Sequence, residues 1–325
     1  MNLNTQTKSR IIITIKQLGI VWALAVLVII MVSLKSSFLN PANLVVIFRQ
    51  SSITGILAVG MAMVIISGGI DLSVGSVLAV TCIVSAFCTT STRAWEPLGV
   101  IPTFLIALSV GAAFGTINGF FVSYLDFPAF IVTMATLSTG RGIALVVTNG
   151  RSVFGLTREF IAVSNSAPFG IPSLVYFWLS TVAIAYFLTK KTVFGKWLFA
   201  IGGNQDAARI SGVNVKLIKM TAYIISGVCA GLTGILMCSR VTTGQPAVGE
   251  GYQLDAIASC IIGGVSMGGG RGDMLGTIVG VLVLTVISNG FDIMGLGSNY
   301  QKILKGAIII IAVSIDLISK RRQHS

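Results

Sequence analysis

Long apolar runs recur along this chain and constrain its fold more than any other feature. Residues 18–34, 100–122 and 275–294 are three of them. A helix that spans the hydrocarbon core of a membrane needs roughly 20 consecutive, mostly apolar residues. A soluble fold of this length could not bury so many apolar runs, because much of any folded surface faces water. The sequence therefore predicts an all-α fold, a polytopic membrane helix bundle.

Charged residues are scarce and lie mostly in the connections between these runs. They make up 10% of the chain, against about 25% in soluble domains. The net charge of +12 comes from lysines and arginines in short segments, as the positive-inside rule predicts for cytoplasmic loops. No basic stripe is interleaved with aromatic residues, so the charge does not indicate nucleic-acid binding.

The apolar runs predict about ten transmembrane helices. A short amphipathic stretch, residues 43–50, precedes the second of them, and polar loops lie at 148–169 and 189–219. The first run is longer than the core of a signal peptide and lacks a clear small-residue cleavage site, so we interpret it as a retained helix. The predicted spans are residues 18–34, 53–70, 72–89, 100–122, 128–147, 171–188, 220–237, 256–270, 275–294 and 303–318.

Three basic regions set the predicted topology: residues 1–17, 189–219 and 319–325. An even number of predicted spans separates each from the next, so all three fall on one side, which the positive-inside rule makes the cytoplasm. The run 256–270 is short enough to be re-entrant, but the basic regions share a side only if it crosses. We therefore expect one transmembrane domain over residues 1–325 with both termini cytoplasmic.

Patterns typical of catalytic, metal or nucleotide sites are absent from the sequence. The five cysteines lie in apolar stretches without a CxxC pair, and the one histidine, His324, is at the tail. There is no GxxxxGK[ST] phosphate loop, so the chain is not expected to bind ATP by that device. We predict that the chain is not an enzyme and has no catalytic residues, metal ligands or cofactor of its own.

Two glycine-rich interruptions lie in different halves of the chain. They read ISGGIDLSVG at residues 66–75 and IGGVSMGGG at residues 262–270. Paired interruptions of this kind mark the substrate path in transporters built from two structural repeats. Glycines also allow helices to pack closely in membranes. Both interpretations remain open from the sequence.

Asp71 stands between two apolar runs without an adjacent cation. A carboxylate at the centre of a bilayer costs about 2.5–3.5 kcal/mol on insertion scales. In one interpretation Asp71 caps the third span, with Gly68 and Gly69 allowing the backbone to turn. In the other, its carboxylate contacts a transported solute.

Arg141 and Lys305 are cations within or beside predicted spans. Arg141 interrupts the fifth span and is expected to snorkel to the interface or to face the interior of the bundle. Lys305 opens the last span, where it is expected to mark the membrane interface.

A polar loop, QPAVGEGYQLD, covers residues 245–255. Its polar groups suit a neutral polyol at the outer mouth of a pathway, and they suit an ordinary capped loop equally well. The residues concerned are Gln245, Glu250, Tyr252, Gln253 and Asp255.

Several motifs carry a family resemblance, and the most specific is Gly-Ile-Asp-Leu-Ser-Val-Gly-Ser at residues 69–76. They occur in order from about residue 37 to about residue 310. Through them the chain resembles the permease subunits of ribose-type sugar ABC importers. The other matching motifs lie at residues 58–61, 148–150, 195–215, 245–258, 263–264, 269–270, 276–277, 289–290 and 300–301.

The resemblance implies a larger machine in the bacterial inner membrane. Two permease subunits, expected to be a homodimer, would form the pore, and a cytoplasmic ABC ATPase subunit would bind ATP. A periplasmic sugar-binding protein would deliver the monosaccharide, a ribose-like pentose or a hexose. The alternative is a stand-alone secondary carrier or facilitator for a small polar solute. Proton-coupled carriers have several acidic residues within their membrane spans. This sequence has few, which disfavours ion coupling.

Two sets of functional residues are expected. The segment 195–216 resembles the coupling segment that seats in a groove of the ATPase, although a basic, topology-setting loop would have similar residues. The coupling set is Gly195, Lys196, Asn204, Ala207, Ala208, Arg209 and Gly212. The substrate-pathway set is Gly68, Gly69, Asp71, Ser73, Asn118, Gln245, Glu250, Tyr252 and Asp255.

Overall fold

The computed structural model describes the backbone of residues 3–92, 96–297, 299–308, 310, 311 and 314, with side chains from residue 19 onward. Within these residues the chain forms helices joined by loops, and two isolated β-bridges pair Thr90 with Leu156 and Val153 with Gly244. The predicted all-α class is confirmed. The predicted tail at 319–325 lies outside the described residues, as do residues 309, 312, 313 and 315–318 of the predicted tenth span.

Twelve α-helices with defined bounds occur in the described part of the chain. Short 3₁₀ turns occur at Ser36–Leu39 and Pro168–Gly170, and residues 299–308 form a further helical stretch. In chain order, the α-helices are α1 (Leu3–Leu34), α2 (Pro41–Ile66), α3 (Val74–Thr89), α4 (Val100–Ser123), α5 (Ala129–Thr148), α6 (Arg158–Asn165), α7 (Ser173–Lys191), α8 (Val193–Gly203), α9 (Gln205–Ile210), α10 (Val215–Val241), α11 (Tyr252–Ile262) and α12 (Met274–Ile293).

Within the described residues, 6 helices are long and apolar enough to cross a membrane: α2, α4, α5, α7, α10 and α12. Four apolar helical segments are shorter: residues Gly19–Leu34 of α1, and the helices α3, α8 and α11. The prediction of a multi-pass membrane bundle is therefore confirmed, whereas a count of about ten spans does not follow from helix length and composition alone.

α2 is one continuous helix where the sequence predicts an amphipathic stretch followed by a separate span. Pro41 occupies its first turn, where a missing N–H is tolerated. Asn40 Oδ1 accepts a hydrogen bond from Ala42 N at 3.0 Å and caps the helix. The helix ends at Ile66 because Gly68 adopts the left-handed region, with φ 83°.

The polar segment 189–219 is mostly helical rather than a loop. α8 and α9 lie within it, and the Asn204 side chain caps α9 by accepting from Ala207 N at 3.0 Å. Leu198 and Ile201 of α8 are buried in the main hydrophobic core. Part of this segment therefore packs against the bundle, as its apolar positions require.

The predicted eighth span, residues 256–270, is half helix and half loop. α11 ends at Ile262, and its 11 residues extend only about 16 Å at 1.5 Å per residue. Gly264 has φ 88° and ends the helix in a left-handed turn. A glycine-rich loop then runs to the start of α12 at Met274.

α2, α3 and α10 form the centre of the bundle. Every residue of α2 from 51 to 66 is buried, and α10 packs along α2, α3 and α4. A Cβ added at Gly111 of α4 would overlap the carbonyl oxygen of Gly227 in α10, so glycines permit this close approach. Large apolar side chains such as Ile101 and Phe130 are exposed on the outer helices, where lipid would cover them.

Contacts between loops identify the two ends of the bundle. At one end, Lys190 Nζ lies 3.2 Å from Asp273 Oδ1, and Lys216 Nζ lies 5.7 Å from the ring centroid of Tyr124. At the other end are the two β-bridges. We call the first, formed by residues 66–68, 124–128, 189–219 and 263–273, the basic end, and the second, formed by residues 90–92, 149–157 and 242–244, the bridged end.

Candidate functional site

A cavity of about 360 Å³ lies between α3, α5 and the segment that leads into α11. Its walls combine a cation, a carboxylate, an amide and a hydroxyl with three apolar side chains. This mixture can donate to and accept from a neutral polar ligand on several sides. The lining residues are Ser76, Leu137, Arg141, Leu145, Ala247, Glu250 and Gln253.

Arg141 of α5 fastens the loop that closes one side of this cavity. Its Nη1 donates to the carbonyl oxygen of Pro246 at 2.5 Å and to that of Val248 at 2.9 Å. Of the two positions expected for this side chain, the structure shows the one that faces the protein. Glu250 lines the same cavity as the guanidinium. The arginine therefore positions the loop and also faces the cavity.

The loop after α10 descends along α3 to reach the cavity. A Cβ at Gly244 would overlap Ala86 near the end of α3. A Cβ at Gly249, which has φ 79°, would lie 2.5 Å from the carbonyl oxygen of Gly75 near the start of α3. These positions on α3 are about 16 Å apart at 1.5 Å per residue. The loop thus enters the bundle from the bridged end, and glycines allow its backbone to lie directly on the helix.

Asp71 is 1% exposed and accepts three hydrogen bonds. Its Oδ1 accepts from Ser73 N at 3.0 Å and from Ser73 Oγ at 2.6 Å, and its Oδ2 accepts from Ser226 Oγ at 2.8 Å. α3 begins at Val74 with Ser73 as its N-cap residue, so the predicted cap at Asp71 itself is wrong by two positions. The carboxylate instead stabilises the turn before the helix and joins it to α10.

A chain of buried side chains continues from this carboxylate to α4 and α5. Asn118 Nδ2 donates to Ser73 Oγ at 2.8 Å, and Thr136 Oγ1 donates to Asn118 Oδ1 at 2.6 Å. We call Asp71, Ser73, Asn118, Thr136 and Ser226 the Asp71 network. Each member is buried and hydrogen-bonded, as buried polar groups require. The network therefore ties α4, α5 and α10 to the break between α2 and α3.

Ser76 connects the Asp71 network to the cavity. Its Oγ lies 2.9 Å from the Ser73 carbonyl oxygen and 3.4 Å from that of Thr136, and its side chain also lines the cavity. Asp71, Ser73 and Asn118 do not line the cavity themselves. Three of the expected pathway residues are thus brought together about one helical turn away from it.

The other expected pathway residues are dispersed. Glu250 lines the cavity, and Gln245 Nε2 donates to Thr243 Oγ1 at 3.1 Å nearby in the same loop. Tyr252 is half-buried against the hydrophobic core. Gly68 and Gly69 lie on the other side of the break, where a Cβ at Gly69 would be 2.5 Å from the Tyr223 hydroxyl.

Asp255 does not line the cavity, and it pairs with Lys305. Asp255 Oδ2 and Lys305 Nζ are 2.9 Å apart, with side chains 17% and 25% exposed. The lysine expected at the membrane interface is thus partly buried, and the carboxylate expected in the pathway holds the last helical stretch against α11. In this partly buried pair each charge compensates the other, so removal of either partner would leave an uncompensated charge.

The expected coupling residues lie at the basic end. Gly195 is buried against the backbone of Thr189, Ala208 is buried, and Lys196 is exposed. Arg209 Nη1 lies 3.6 Å from Asp206 Oδ1, and Gly212 takes a left-handed φ of 84° that ends the short helix α9.

Sequence reasoning missed Ile210 at the basic end and two features of the cavity. Ile210 is 89% exposed at the end of α9, beside the ion pair. Its signal was an aliphatic residue in an otherwise polar segment. For the cavity, the missed features are Ser76 and the lining role of Arg141, whose signal was a cation inside an apolar run. Gln253, one of the polar residues expected in the loop 245–255, does line the cavity. Among the described residues, no group of three or more His, Cys, Asp or Glu side chains is placed to hold a metal ion.

Comparison with known proteins gives the family. Residues 43–313 match the family described as branched-chain amino acid transport system / permease component. The ribose import permease protein RbsC of Escherichia coli (strain K12) is 38% identical over 298 residues, which cover 90% of this chain and 91% of the relative. The protein of the same name from Bacillus subtilis (strain 168) is 40% identical over 305 residues, covering 93% and 92%.

A third similar protein is the D-allose transport system permease protein AlsC of Escherichia coli (strain K12), 39% identical over 308 residues, which cover 93% of this chain and 92% of the relative. No solved structure is significantly similar to the chain. The family match spans most of the chain, and these relatives are matched over nine-tenths of their length. The chain therefore belongs to this family of transport-system permease components, together with permeases for ribose and allose.

Proposed function

We propose that this chain is the membrane-spanning permease subunit of an ATP-driven ABC importer for a monosaccharide. The observation that carries the proposal is the similarity of nine-tenths of the chain to ribose and allose permeases. The chain itself has a transport role and no catalytic one. A ribose-like pentose or a hexose is the proposed cargo, and the bacterial inner membrane is the proposed location.

The cavity beside α3 and α5 is the proposed part of the sugar path within this subunit. Its volume of about 360 Å³ falls in the range of small-ligand pockets, about 300–1,000 Å³. Arg141, Glu250 and Gln253 offer donors and acceptors to sugar hydroxyls. Transport requires easy release, so we expect weak binding there. The Asp71 network supports the wall of this path from behind.

The proposed topology places the basic end in the cytoplasm. This end carries six lysines and arginines from the last turn of α7 to the first turns of α10, and the positive-inside rule assigns such a segment to the cytoplasm. α1, α3, α11 with its glycine loop, and the last helical stretch would complete about ten crossings. The cations are Lys190, Lys191, Lys196, Arg209, Lys216 and Lys219.

Three partners are proposed: a cytoplasmic ABC ATPase subunit that binds ATP, a periplasmic sugar-binding protein, and a second permease subunit that completes a homodimer. α9 is the proposed contact with the ATPase. It projects Ile210, Ala207 and Arg209 into solvent from the basic end. An exposed aliphatic side chain with charged neighbours is typical of an interface anchor with a polar rim.

Reconstitution into liposomes tests this function. We expect labelled sugar to enter vesicles only when the ATPase, the binding protein and ATP are all present. Uptake by the purified chain alone would overturn the importer proposal and favour the stand-alone carrier.

The sugar path has its own test in the complete transporter. Replacing Glu250 by Gln removes a charged acceptor from the cavity and should slow uptake about tenfold, the effect of losing one hydrogen bond to a charged group. Glu96→Gln is the matched control, because Glu96 is exposed near the bridged end and does not line the cavity. Equal uptake by both variants and the wild type would exclude the cavity from the path.

A further inference from the structure

Three backbone segments meet at the basic end with almost no side chains between them. They are the end of α2 at residues 66–68, the end of α8 at residues 202–203, and the loop after α11 at residues 269–270. We call this contact the glycine junction. It joins the two glycine-rich interruptions of the sequence to the segment 189–219.

Gly202 occupies the centre of the glycine junction. A Cβ added there would overlap both the carbonyl oxygen of Ile66 and the backbone nitrogen of Gly270. Both of these groups belong to backbone, which cannot rotate away as a flexible side chain can. Any residue larger than glycine at 202 must therefore displace α2, the glycine loop or α8 itself.

The two interruptions are also bonded to each other at this point. Gly270 N donates to the carbonyl oxygen of Ile66 at 2.9 Å. A Cβ on Gly269, which has φ 76°, would lie 2.8 Å from the Gly202 carbonyl oxygen and 3.0 Å from Gly68 N. The bond satisfies a carbonyl at the end of α2 that has no partner within the helix.

A second contact ties the same loop to the segment before α8. Lys190 Nζ at the end of α7 lies 3.2 Å from Asp273 Oδ1 at the start of α12. The glycine loop is thus held at one end by α8 and at the other by α7. A displacement of α7 and α8 at the basic end must move the loop, and with it the end of α2.

We propose that Gly202 is a positioning residue for transport, at which movement of the segment 189–219 reaches both interrupted segments of the pore. This inference rests on the proposed function, in which an ATPase moves that segment. The contact transmits displacement directly, because packed backbone has no side-chain rotamers that could absorb it. Gly202 would touch no sugar and no nucleotide.

The adjacent residue provides a matched control. Gly203 also lies in α8, but a Cβ added there meets no atom within 4 Å. Gly202→Ala and Gly203→Ala thus make the same chemical change one position apart, and only the first disturbs the glycine junction.

The test measures sugar uptake and ATP hydrolysis in parallel, in liposomes that contain the complete transporter. We expect Gly203→Ala to retain the wild-type ratio of sugar imported to ATP hydrolysed. We expect Gly202→Ala to hydrolyse ATP while this ratio falls about tenfold, within the range that coupling between two sites supplies. An unchanged ratio in Gly202→Ala would overturn the inference. Absence of ATP-driven uptake in the wild type would instead overturn the proposed function.

A distance measurement keeps the inference testable if Gly202→Ala fails to assemble. Spin labels on Gly203→Cys and Gly268→Cys would report across the glycine junction, and a label on Ser166→Cys would report the distance to the opposite end. All three positions are exposed, whereas four of the five native cysteines are buried. We expect the 203–268 distance to stay constant on ATP binding while the 203–166 distance changes. Separation of 203 from 268 would refute transmission through the junction.

Discussion

The break between α2 and α3 is held at its two ends in opposite ways. Toward α3, the Asp71 network fixes the chain through side chains, each with a hydrogen-bond partner. Toward α2, the glycine junction holds the chain through backbone contacts alone. Side-chain networks of this kind specify one arrangement, since an unpaired buried polar group is costly. Bare backbone contacts allow close approach and impose no such penalty when the segments move together. The first region is thus suited to stability and the second to movement.

The largest expected effect comes from removing the carboxylate of the network. Asp71→Ala leaves the hydroxyls of Ser73 and Ser226 without their acceptor. Each unsatisfied buried group costs about 1–3 kcal/mol, so we expect unfolding to become easier by about 3 kcal/mol. Thermal unfolding of the purified chain in detergent measures this. Asp71→Asn, which retains one oxygen acceptor for Ser73, is the milder control. A wild-type melting temperature in Asp71→Ala would show that the network is not the stable region.

A second substitution measures how much the glycine junction contributes to stability. Gly269→Ala combines an unfavourable φ of 76° with a Cβ 2.8 Å from the Gly202 carbonyl oxygen. Gly264→Ala has a comparable φ of 88° but open space around its Cβ. Backbone strain alone costs about 1–3 kcal/mol and is common to both variants. The difference between their free energies of unfolding therefore measures the contact of position 269 with Gly202. Equal destabilisation by Gly269→Ala and Gly264→Ala would mean that the contact with Gly202 adds nothing to stability.

A smaller effect is expected at the outer end of the network. Thr136→Val keeps the shape of the side chain but removes the hydroxyl that donates to Asn118 Oδ1 at 2.6 Å. The loss of one such bond costs about 1 kcal/mol. Thr116→Val is the control, since the Thr116 hydroxyl donates only to the Ala112 carbonyl oxygen of its own helix at 2.8 Å. If both variants unfold at the same temperature, the hydrogen bond between α5 and α4 adds nothing to the stability of the chain.

The smallest effect on the chain itself is expected at Ile210. This side chain is 89% exposed, so Ile210→Ser should change stability by no more than about 0.5 kcal/mol. Binding of the ATPase should nevertheless weaken by about tenfold, since interface anchors cost more than about 1 kcal/mol when truncated. Thermal unfolding measures the first effect, and co-purification over a range of ATPase concentrations measures the second. Unaltered ATPase binding would place the docking surface elsewhere.

Local sequence patterns predicted the class of the fold and the long spans, because periodic apolar residues report directly on burial in lipid. The motif around Asp71 also indicated a turn at this point. Its partners were not predictable, since Ser226 lies 155 positions away and reaches Asp71 only through the packing of α10. The same holds for Arg141, whose acceptors are carbonyl groups without any sequence signature.

The sequence also failed to predict where the helix in the eighth predicted span ends, for a different reason. Residues 256–270 are apolar apart from Ser259 and Ser266, so composition alone could not separate helix from loop. Backbone conformation decides the boundary there, because Gly264, Gly269 and Gly270 all take positive φ values. Glycines also occur within helices of this chain, as at Gly111 and Gly227. Their presence in the run therefore did not reveal which would end the helix.

Arg141 anchors the cavity loop through main-chain oxygens only, those of Pro246 and Val248. These hydrogen bonds do not depend on which side chains the bonded residues carry. Ala247 lies between the two anchored residues in the sequence and lines the cavity. A larger side chain at that single position would narrow the cavity while both hydrogen bonds from Arg141 remain in place, so the size of the cavity and the anchoring of the loop can change independently.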